Sequence, residues 1–420
     1  MSDIVYTQGQ ENGSVLFGKF YLNPNENVMV LKGYSGTGKS TLVQRLLREV
    51  AKYDEMRKFL DPGFRPYTPV LTATTNQAAE ALAMSTGFAS GVCTIHKLLG
   101  LRVETIDYVR KIKELRPTKK DKAERLLIFI DECSYIDVRL MKLILSQTVD
   151  CKIVFIGDHA QLKPVGASYM PAFDMNNNEI ELTELVRFDD GPISNMVSAL
   201  RRTVLEGVWP NFSDFISPGV IEKVSAEEFE ALTHVAFRGD NPMGKAKILA
   251  YTNDCVIGYN TRLAQRFHGS SDPMVGQVMV NNEECNNGTD RVSNNIEVII
   301  EEVREGTRYG YKGWFVKLLN KGGEYFLPRD CRKTKQAAHT EAVRNDDFDM
   351  MKEVVDAWID LRPAWACTGN KSQGSTYDTS FIDLGNIISM VRGGDALARM
   401  LYVVCSRARS RMYFKGDKHG

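Results

Sequence analysis

The chain has 420 residues, and 43% of them are hydrophobic. At about 150 residues per domain, this length predicts two or three domains with their own cores and excludes a disordered or fibrous protein. The 53 basic residues balance 53 acidic ones, so a nucleic acid or a membrane would be bound by local patches rather than by an overall field. The eight cysteines form no Cys-x-x-Cys pair, and the sequence contains neither a recognisable secretory leader nor an apolar run long enough to cross a bilayer. We therefore expect a cytoplasmic protein without zinc sites, disulfides or a membrane partner.

About the first 185 residues alternate short apolar runs with helix-period stretches, a pattern typical of a parallel sheet covered by helices. Strands are predicted at residues 28–32, 70–73, 127–130 and 153–156, with helices beginning near Lys39 and Gln77. A polar segment at residues 101–125 interrupts this pattern with nine Lys or Arg and five Asp or Glu residues. It is predicted to be an insertion that forms a hairpin or short helices.

The second half of the chain contains another strand–helix unit, at residues 247–251 and 255–267. Short strands separated by Asn and Gly turns follow over residues 275–327 and predict a small antiparallel barrel. A charged helical stretch, residues 333–361, then leads the chain back to the second α/β domain. From residue 364 the α/β pattern resumes, with predicted elements at residues 381–384, 395–406 and 412–414.

Residues 33–40, called here the phosphate loop, match G-x-x-x-x-G-K-[ST] between a predicted strand and a predicted helix. Glycines let successive backbone N–H groups face one anion, and the helix N-terminus adds its positive dipole end. We expect Lys39 to meet the β- and γ-phosphates and Ser40 to bind Mg²⁺. The alternative is a glycine-rich turn that opens an ordinary helix.

The predicted strand at residues 127–130 leads directly into Asp131 and Glu132. Its apolar run shows no alternation, which indicates a strand buried on both faces. Asp131 is expected to hold Mg²⁺ together with Ser40, and Glu132 to orient and deprotonate the attacking water. Taken alone, such a pair is more often a helix cap. Beside the phosphate loop it predicts binding and hydrolysis of a nucleoside triphosphate.

Three further side chains distinguish a motor from other ATPases. Gln161 lies in the glutamine loop (residues 157–165), after the predicted strand at 153–156, where a glutamine can sense the γ-phosphate. Arg187 and Arg407 are expected to act as arginine fingers if two α/β domains face each other across one nucleotide. The alternatives are a polar loop tip for Gln161 and surface ion pairs for the arginines.

These segments fall in the order of the superfamily 1 helicase motifs, and within that superfamily the chain most resembles the Dda helicases of tailed phages, relatives of the RecD and Pif helicases. The resemblance runs from residue 7 to residue 413. It rests on Gln10, the phosphate loop, residues 72–79, 94–96 and 131–134, the glutamine loop, Arg187, residues 371–376 and the Ser406–Arg407 pair.

The resemblance implies roles for individual residues. Gln10 corresponds to the glutamine that reads adenine. The implied nucleotide contacts are Gly33, Ser35, Gly36, Thr37, Gly38, Lys39, Ser40, Thr41 and Gly374. The implied contacts to single-stranded DNA are Thr74, Thr75, Asn76, Thr94, His96, Thr252, Asn253, Lys371, Ser372 and Thr376, with Asn260 in a related element. Relatives commonly have His before the Lys-x-Gln-Gly run, whereas this chain has Asn370, which keeps a hydrogen-bonding group but has no ring to stack.

The implied fold class is α/β, with two RecA-like parallel-sheet domains of the P-loop NTPase type. The first is predicted over residues 1–186, with residues 101–125 as an inserted wedge or pin. The second is predicted over residues 187–270 and 364–420, with an SH3-like small barrel and helical return inserted at 271–363. Residues 101–125 also have a simpler interpretation as a solvated surface hairpin, although their excess of basic residues favours a phosphate contact.

The implied activity is that of a DNA helicase that uses ATP and Mg²⁺, moves 5′→3′ along single-stranded DNA and opens forks. Its implied setting is a monomer in the cytoplasm of a bacterial host, with phage single-strand-binding and replication proteins as partners. The alternatives are a translocase that remodels protein–DNA complexes, a DNA-modifying or packaging ATPase, a small-molecule kinase, and a nucleotide-dependent binding module without turnover.

Overall fold

The computed structural model describes residues 5–34, 36–88, 92–119, 121–164, 166–175, 178–184, 191–238 and 245–416. They group into two compact units. The first comprises residues 1–102, 115–215 and 393–406, and the second comprises residues 103–114, 216–392 and 407–420. These units are defined by packing alone, and the domain bounds expected from the sequence stay a prediction.

The first unit contains a six-stranded sheet in which all neighbouring strands are parallel. Across the sheet the strands are Asn178–Leu182, Val28–Gly33, Lys152–Gly157, Leu126–Asp131, Thr68–Ala73 and Cys93–Thr94. The helices are Gln8–Leu22, Lys39–Leu60, Asn76–Thr86, Ile95–Leu98, Val138–Ser146, Pro192–Glu206 and Gly394–Cys405. A short parallel pair, Ala123–Glu124 with Thr148–Val149, lies outside this sheet. The four strands predicted from apolar runs are all present.

The sheet is buried on both faces, as the unbroken apolar runs predict. Met29 and Leu31 pack into one hydrophobic core and Val30, between them, into another. Because successive side chains of a strand point to opposite faces, one strand contributes to both cores. Helices therefore cover both faces, and only the strand ends are open to other groups.

The helix Gln8–Leu22 was not predicted. A capping box begins it, in which the Thr7 hydroxyl accepts from the Gln10 N–H and the Gln10 side chain accepts from the Thr7 N–H. Its last turn is held by the buried ammonium of Lys152, which donates to the carbonyl oxygens of Phe20, Asn23 and Glu26 at 2.8, 2.8 and 2.6 Å. The bond to Phe20 occupies a carbonyl group that the end of the helix leaves without an intrahelical partner.

The second unit is built on a five-stranded parallel sheet. Its strands, in spatial order, are Ile221–Val224, Ala408–Lys415, Tyr377–Asp383, Ala246–Ala250 and Ala366–Thr368. Its helices are Ala226–Ala236, Asn253–His268, Cys331–Arg344, Phe348–Asp356, Gly369–Ser372 and Leu384–Met390. No helix among the described residues is both long enough and apolar enough to cross a membrane.

The insertion expected at residues 271–363 contains a five-stranded antiparallel sheet. Its strands, in spatial order, are Tyr325–Pro328, Tyr311–Leu318, Glu297–Arg308, Val278–Asn281 and Leu361–Pro363. A further antiparallel pair is formed by Cys285–Asn286 and Arg291–Val292. Cys285 and Val292 pack into the hydrophobic core of the five-stranded sheet. The predicted short strands are present, and the SH3-like character of the insertion stays a prediction.

The basic segment forms a β-hairpin with strands Leu101–Asp107 and Ile112–Pro117. The tip of this hairpin, residues 103–114, belongs to the second unit. There Asp356 accepts hydrogen bonds from the Thr105 and Tyr108 hydroxyls at 2.9 and 2.6 Å, and the Tyr108 ring packs edge-on against Phe348 at 5.3 Å between centroids. Burial and the hydrogen bond to Asp356 together raise the pKa of Tyr108 to about 12. The tip is therefore braced by side-chain contacts rather than projecting freely.

Candidate functional site

The carboxyl ends of four parallel strands bring the predicted catalytic residues of the first unit to one edge of the sheet. Lys32 pairs with Gly157, and Ala73 with Asp131. The phosphate loop, the acidic pair, the glutamine loop and the segment that begins at Thr74 all start at this edge. In parallel sheets this edge is where ligands bind.

The phosphate loop has the backbone geometry that an anion cradle needs. Gly38 lies in the left-handed region with φ at 77°, directly before the helix Lys39–Leu60. A Cβ on Gly33 would lie 2.7 Å from Thr37 Oγ1, so a larger residue does not fit there. The loop can therefore present its N–H groups to a phosphate at the start of a helix, as the sequence predicts.

Lys39 and the acidic pair lie in one electrostatic group. The Lys39 ammonium donates to the carbonyl oxygens of Gly33 and Tyr34 at 2.7 and 3.0 Å, inside the phosphate loop. Burial raises the pKa of Asp131, against the opposing effects of the Lys39 charge and of the Glu132 N–H that donates to its carboxylate at 2.9 Å. The charge of the loop lysine thus acts on a carboxylate at the end of a strand that lies two places away in the sheet.

Glu132 has a left-handed backbone, with φ at 52°, immediately after the strand. Its carbonyl oxygen accepts a hydrogen bond from the Thr74 hydroxyl at 3.1 Å. A non-glycine residue held in this region is strained, and such strain is often found at functional sites. Thr74, predicted as a strand contact, therefore also fixes the residue predicted as the base.

Gln10 is buried beside the phosphate loop and donates from its side-chain amide to the Gly38 carbonyl at 3.2 Å. Its amide oxygen accepts from the Thr7 N–H at 3.0 Å in the capping box described above. The residue predicted to read adenine thus joins the first helix to the loop. The adenine contact itself stays a prediction.

The glutamine loop is attached to the helix Gly394–Cys405 at three points. The Arg399 guanidinium donates to the carbonyl oxygens of His159 and Gln161 at 2.7 and 2.8 Å. The Tyr402 hydroxyl donates to the fully buried carboxylate of Asp158. Lys163 and Asp395 form an ion pair at 2.9 Å. The backbone of Gln161 is therefore fixed to a helix that ends two residues before Arg407 in the sequence.

We predict that Tyr402→Phe lowers the free energy of unfolding by about 1–3 kcal/mol, because the change removes a donor from a carboxylate shielded from water. Urea unfolding of the full chain measures the difference. Tyr169→Phe, at a tyrosine that is 46% exposed, is the matched control and should change the free energy by less than about 0.5 kcal/mol. Equal effects of the two variants would contradict the prediction.

The other residues of the first unit that are predicted to contact single-stranded DNA lie at the beginnings of helices. Thr75 caps the helix Asn76–Thr86 and Thr94 caps the helix Ile95–Leu98, each through its hydroxyl. Burial lowers the pKa of His96, which favours the neutral imidazole, against a smaller opposing effect of Asp137. Capping leaves the exposed Asn76 free to turn toward a ligand, so both roles considered from the sequence are compatible.

In the second unit Asn386 holds the segment that carries Thr252 and Asn253. Its side-chain oxygen accepts from the Tyr251 and Thr252 N–H groups at 2.8 and 3.1 Å, and its amide donates to the Thr252 hydroxyl at 3.3 Å. Asp383 in turn accepts from the Asn386 N–H at 3.0 Å. Thr252 and Asn253, the predicted contacts to DNA, thus lie on a backbone that is held by a residue following the neighbouring β-strand.

Residues 371–376, which include three predicted contacts to single-stranded DNA and the predicted nucleotide contact Gly374, lie in different environments. Ser372 is fully buried and donates to the Gly369 carbonyl at 2.8 Å, whereas Thr376 is exposed. Gly374 has φ at 80°. Arg407 is buried in the same unit and donates to the Ser375 carbonyl at 3.0 Å. Ser35 and Arg187, both predicted from the sequence, lie outside the described residues.

Asp158, Tyr402, Arg399 and Asn386 were not predicted as functional residues. Asp158 follows a buried strand just as Asp131 does, so its position at a strand end was a usable signal. The other three have no local signal, because their importance comes from contacts with residues far away in the sequence.

Comparison with known proteins gives three kinds of likeness. A family model described as an AAA domain matches residues 19–208. The RecBCD enzyme subunit RecD of Buchnera aphidicola subsp. Schizaphis graminum (strain Sg) is 29% identical over 159 residues, which are 34% of this chain and 24% of that protein. The same subunit of Buchnera aphidicola subsp. Acyrthosiphon pisum (strain APS) is 28% identical over 149 residues, 33% of this chain and 23% of that protein. The chain spans about a quarter of the length of these curated relatives.

A solved structure that concerns DNA unwinding at forked double-stranded DNA by two coordinating Pif1 helicases matches 98% of this chain and 92% of its own, with 17% identity and a TM-score of 0.50. At this identity the likeness shows the fold. Together the comparisons confirm the predicted resemblance to helicases of the RecD and Pif kind, and the chain has the α/β fold with two RecA-like domains that a Pif1 helicase has.

Proposed function

We propose that the chain is an ATP-dependent DNA helicase, which moves along single-stranded DNA and separates duplex DNA. The observation that carries the proposal is the edge of the first sheet, where Lys39 lies within the electrostatic reach of Asp131 and beside a glutamine loop joined to a distant helix. The likeness to an AAA domain and to a Pif1 fold supports this assignment. The chain spans only about a quarter of RecD, so the proposal rests first on the residues of this chain.

Within this proposal the first unit binds ATP with Mg²⁺. Among the described residues no group of three or more His, Cys, Asp or Glu side chains is arranged to hold a metal ion. That fits Mg²⁺ in an NTPase, which binds through one or two protein oxygens, waters and the phosphates of the nucleotide. The Ser40 hydroxyl and the Asp131 carboxylate are the protein oxygens that would hold it, and the ion would neutralise charge on the phosphates.

The remaining nucleotide residues take the roles predicted from the sequence. Lys39 neutralises the β- and γ-phosphates, Glu132 orients and deprotonates the attacking water, and Gln161 senses the γ-phosphate. Arg187 and Arg407 stabilise the charge that develops on the γ-phosphate. The contacts of Arg399 with the glutamine loop support a coupling between this sensing and the helix that precedes Arg407.

The proposed contacts to single-stranded DNA are those predicted from the sequence, and the exposure of three of these residues supports them. Asn76, Asn253 and Thr376 are exposed at the ends of parallel strands or at the start of helices. Thr and Asn side chains and N–H groups at such places are common ligands of phosphates and sugars. The other proposed contacts are Thr74, Thr75, Thr94, His96, Thr252, Lys371 and Ser372.

We infer that the hairpin at residues 101–117 acts as the wedge. Opening one base-pair step costs about 1.4 kcal/mol on average, so a wedge needs only to trap a pair that frays as the motor advances. A stack of an aromatic ring on a base offsets about 1–3 kcal/mol. The contacts of the hairpin tip with Asp356 and Phe348 support this role, because a braced hairpin resists being pushed aside.

The finer expectations remain part of the proposal. They are a Dda-like phage helicase, 5′→3′ movement, action at forks as a monomer in the host cytoplasm, and phage single-strand-binding and replication proteins as partners. The Pif1 structure concerns forked DNA, which supports a fork as the substrate of this chain.

The test compares ATP hydrolysis with and without single-stranded DNA, and strand release from forks with a 5′ or a 3′ tail. We expect hydrolysis to rise at least tenfold with single-stranded DNA and release to require the 5′ tail. Stimulated hydrolysis without release on either tail would favour a translocase that remodels protein–DNA complexes. Hydrolysis indifferent to DNA would overturn the proposal.

A further inference from the structure

A pair of cations lies where the antiparallel insertion rejoins the second parallel sheet. Arg362 is on the strand Leu361–Pro363, which pairs with Val278–Asn281. Its guanidinium binds the buried Asp360 carboxylate through two nitrogens, Nε at 3.1 Å and Nη2 at 2.7 Å. The third nitrogen, Nη1, donates to the side-chain oxygen of Asn253 at 3.3 Å. Arg362 thus reaches a residue already proposed to contact the strand.

Lys371, another proposed strand contact, lies close to Arg362. Its ammonium donates to the neutral amide oxygen of Asn282 at 2.5 Å rather than to a carboxylate. Burial lowers the pKa of Lys371, and the next largest effect is the positive charge of Arg362. The Asn282 N–H donates to the Asp360 carbonyl at 2.8 Å, so Asn282 and Asp360 hold both cations in place.

This arrangement leaves an excess of positive charge. Asp360 binds Arg362, and Glu283, whose charge also acts on Lys371 and Arg362, is paired with Lys335 at 2.7 Å. The Asn253 and Asn282 side chains add no charge, so these two carboxylates face three cations. A guanidinium fork matches two oxygens of a phosphate as well as those of a carboxylate. Its outer nitrogen already contacts an exposed amide at 3.3 Å, a long bond that a phosphate oxygen can replace.

We propose that Arg362 binds a backbone phosphate of single-stranded nucleic acid, next to Asn253 and Lys371, and that Asp360 holds its guanidinium ready for that contact. The proposal rests on the proposed function, because it assumes that single-stranded DNA runs past Asn253. Asp360 positions the Arg362 guanidinium but also competes with the phosphate for it. The carboxylate therefore limits affinity while keeping the site ordered.

The experiment measures binding of a fluorescent oligothymidine to the full chain by anisotropy, over a series of salt concentrations. Arg362→Gln should weaken binding about tenfold, and the slope of log K against log salt should become less steep by about 0.7, the value for one lost phosphate contact on a single strand. Arg304→Gln is the matched control, because Arg304 also binds a carboxylate, Glu324, through two nitrogens at 3.2 and 2.6 Å. The control should leave both quantities unchanged.

Asp360→Asn supplies a second, opposite readout. It keeps a hydrogen-bonding side chain but removes the competing charge, so binding should tighten severalfold, a gain that loss of structure would not produce. Weaker binding by Asp360→Asn, or unchanged affinity and salt slope for Arg362→Gln, would overturn the proposal.

The failure of this proposal can be told from that of the proposed function. If the unmodified chain binds oligothymidine and hydrolyses ATP faster with it, the proposed function stands whatever Arg362→Gln does. If the unmodified chain does not bind the oligonucleotide, both proposals are overturned.

Discussion

Lys39→Ala should abolish DNA-stimulated ATP hydrolysis, with a fall of at least about a hundredfold in kcat, and with it strand separation. The ammonium lies inside the phosphate loop, bonded to the Gly33 and Tyr34 carbonyl oxygens, and is the charge that opposes the effect of burial on Asp131. Removing one preorganised donor from a transferring phosphoryl group typically costs a factor of about 10²–10³. Steady-state hydrolysis and release from a forked duplex measure the loss.

Lys32→Ala is the matched control. Lys32 is on the strand that leads into the phosphate loop, but its ammonium pairs with Glu179 at 2.6 Å. The control removes the same charge seven residues away and should keep hydrolysis within about twofold, since the Lys32 ammonium is paired with Glu179 and does not lie inside the phosphate loop. A Lys39→Ala variant as active as the control would exclude the phosphate loop as the catalytic site.

Four of the six strands of the first sheet could be predicted to within one or two residues, because strands buried on both faces appear as unbroken apolar runs. The run that precedes Asp131 was predicted at residues 127–130 and observed as Leu126–Asp131. The helix Gln8–Leu22 could not be predicted in the same way. Its sequence begins with polar residues and contains two internal glycines besides Gly9, at Gly13 and Gly18, which fit against Ile180 and Tyr53. Tertiary packing, not local propensity, makes that segment helical.

The candidate site was predictable where chemistry lies in one short segment and unpredictable where it depends on distant contacts. The phosphate loop and the Asp131–Glu132 pair each carry their signal within a few residues. The bond between Tyr402 and Asp158 joins residues 244 positions apart, and that between Arg362 and Asn253 joins residues 109 positions apart. A single sequence contains no periodicity that relates such residues. Only the fold brings them together.

Glu132→Gln should keep ATP binding and lose hydrolysis by about a thousandfold, because general base catalysis contributes about 10²–10⁴ and an amide cannot accept the proton of the attacking water. Glu132 is suited to this role by its strained backbone and by the bond from Thr74 to its carbonyl oxygen, which fix it after the strand end. A fluorescent ATP analogue measures binding, and single-turnover hydrolysis measures the chemical step.

Asp137→Asn controls for the loss of a carboxylate nearby. Asp137 caps the helix Val138–Ser146 by accepting from the Leu140 N–H at 2.7 Å, and asparagine caps equally well, so this variant should hydrolyse ATP normally. If Glu132→Gln lost ATP binding as well, its carboxylate would hold the nucleotide site together rather than activate water. If it kept full hydrolysis, another group would have to be the base. Retained ATP binding with lost hydrolysis is the result that distinguishes an enzyme blocked at the chemical step from a chain that no longer binds ATP.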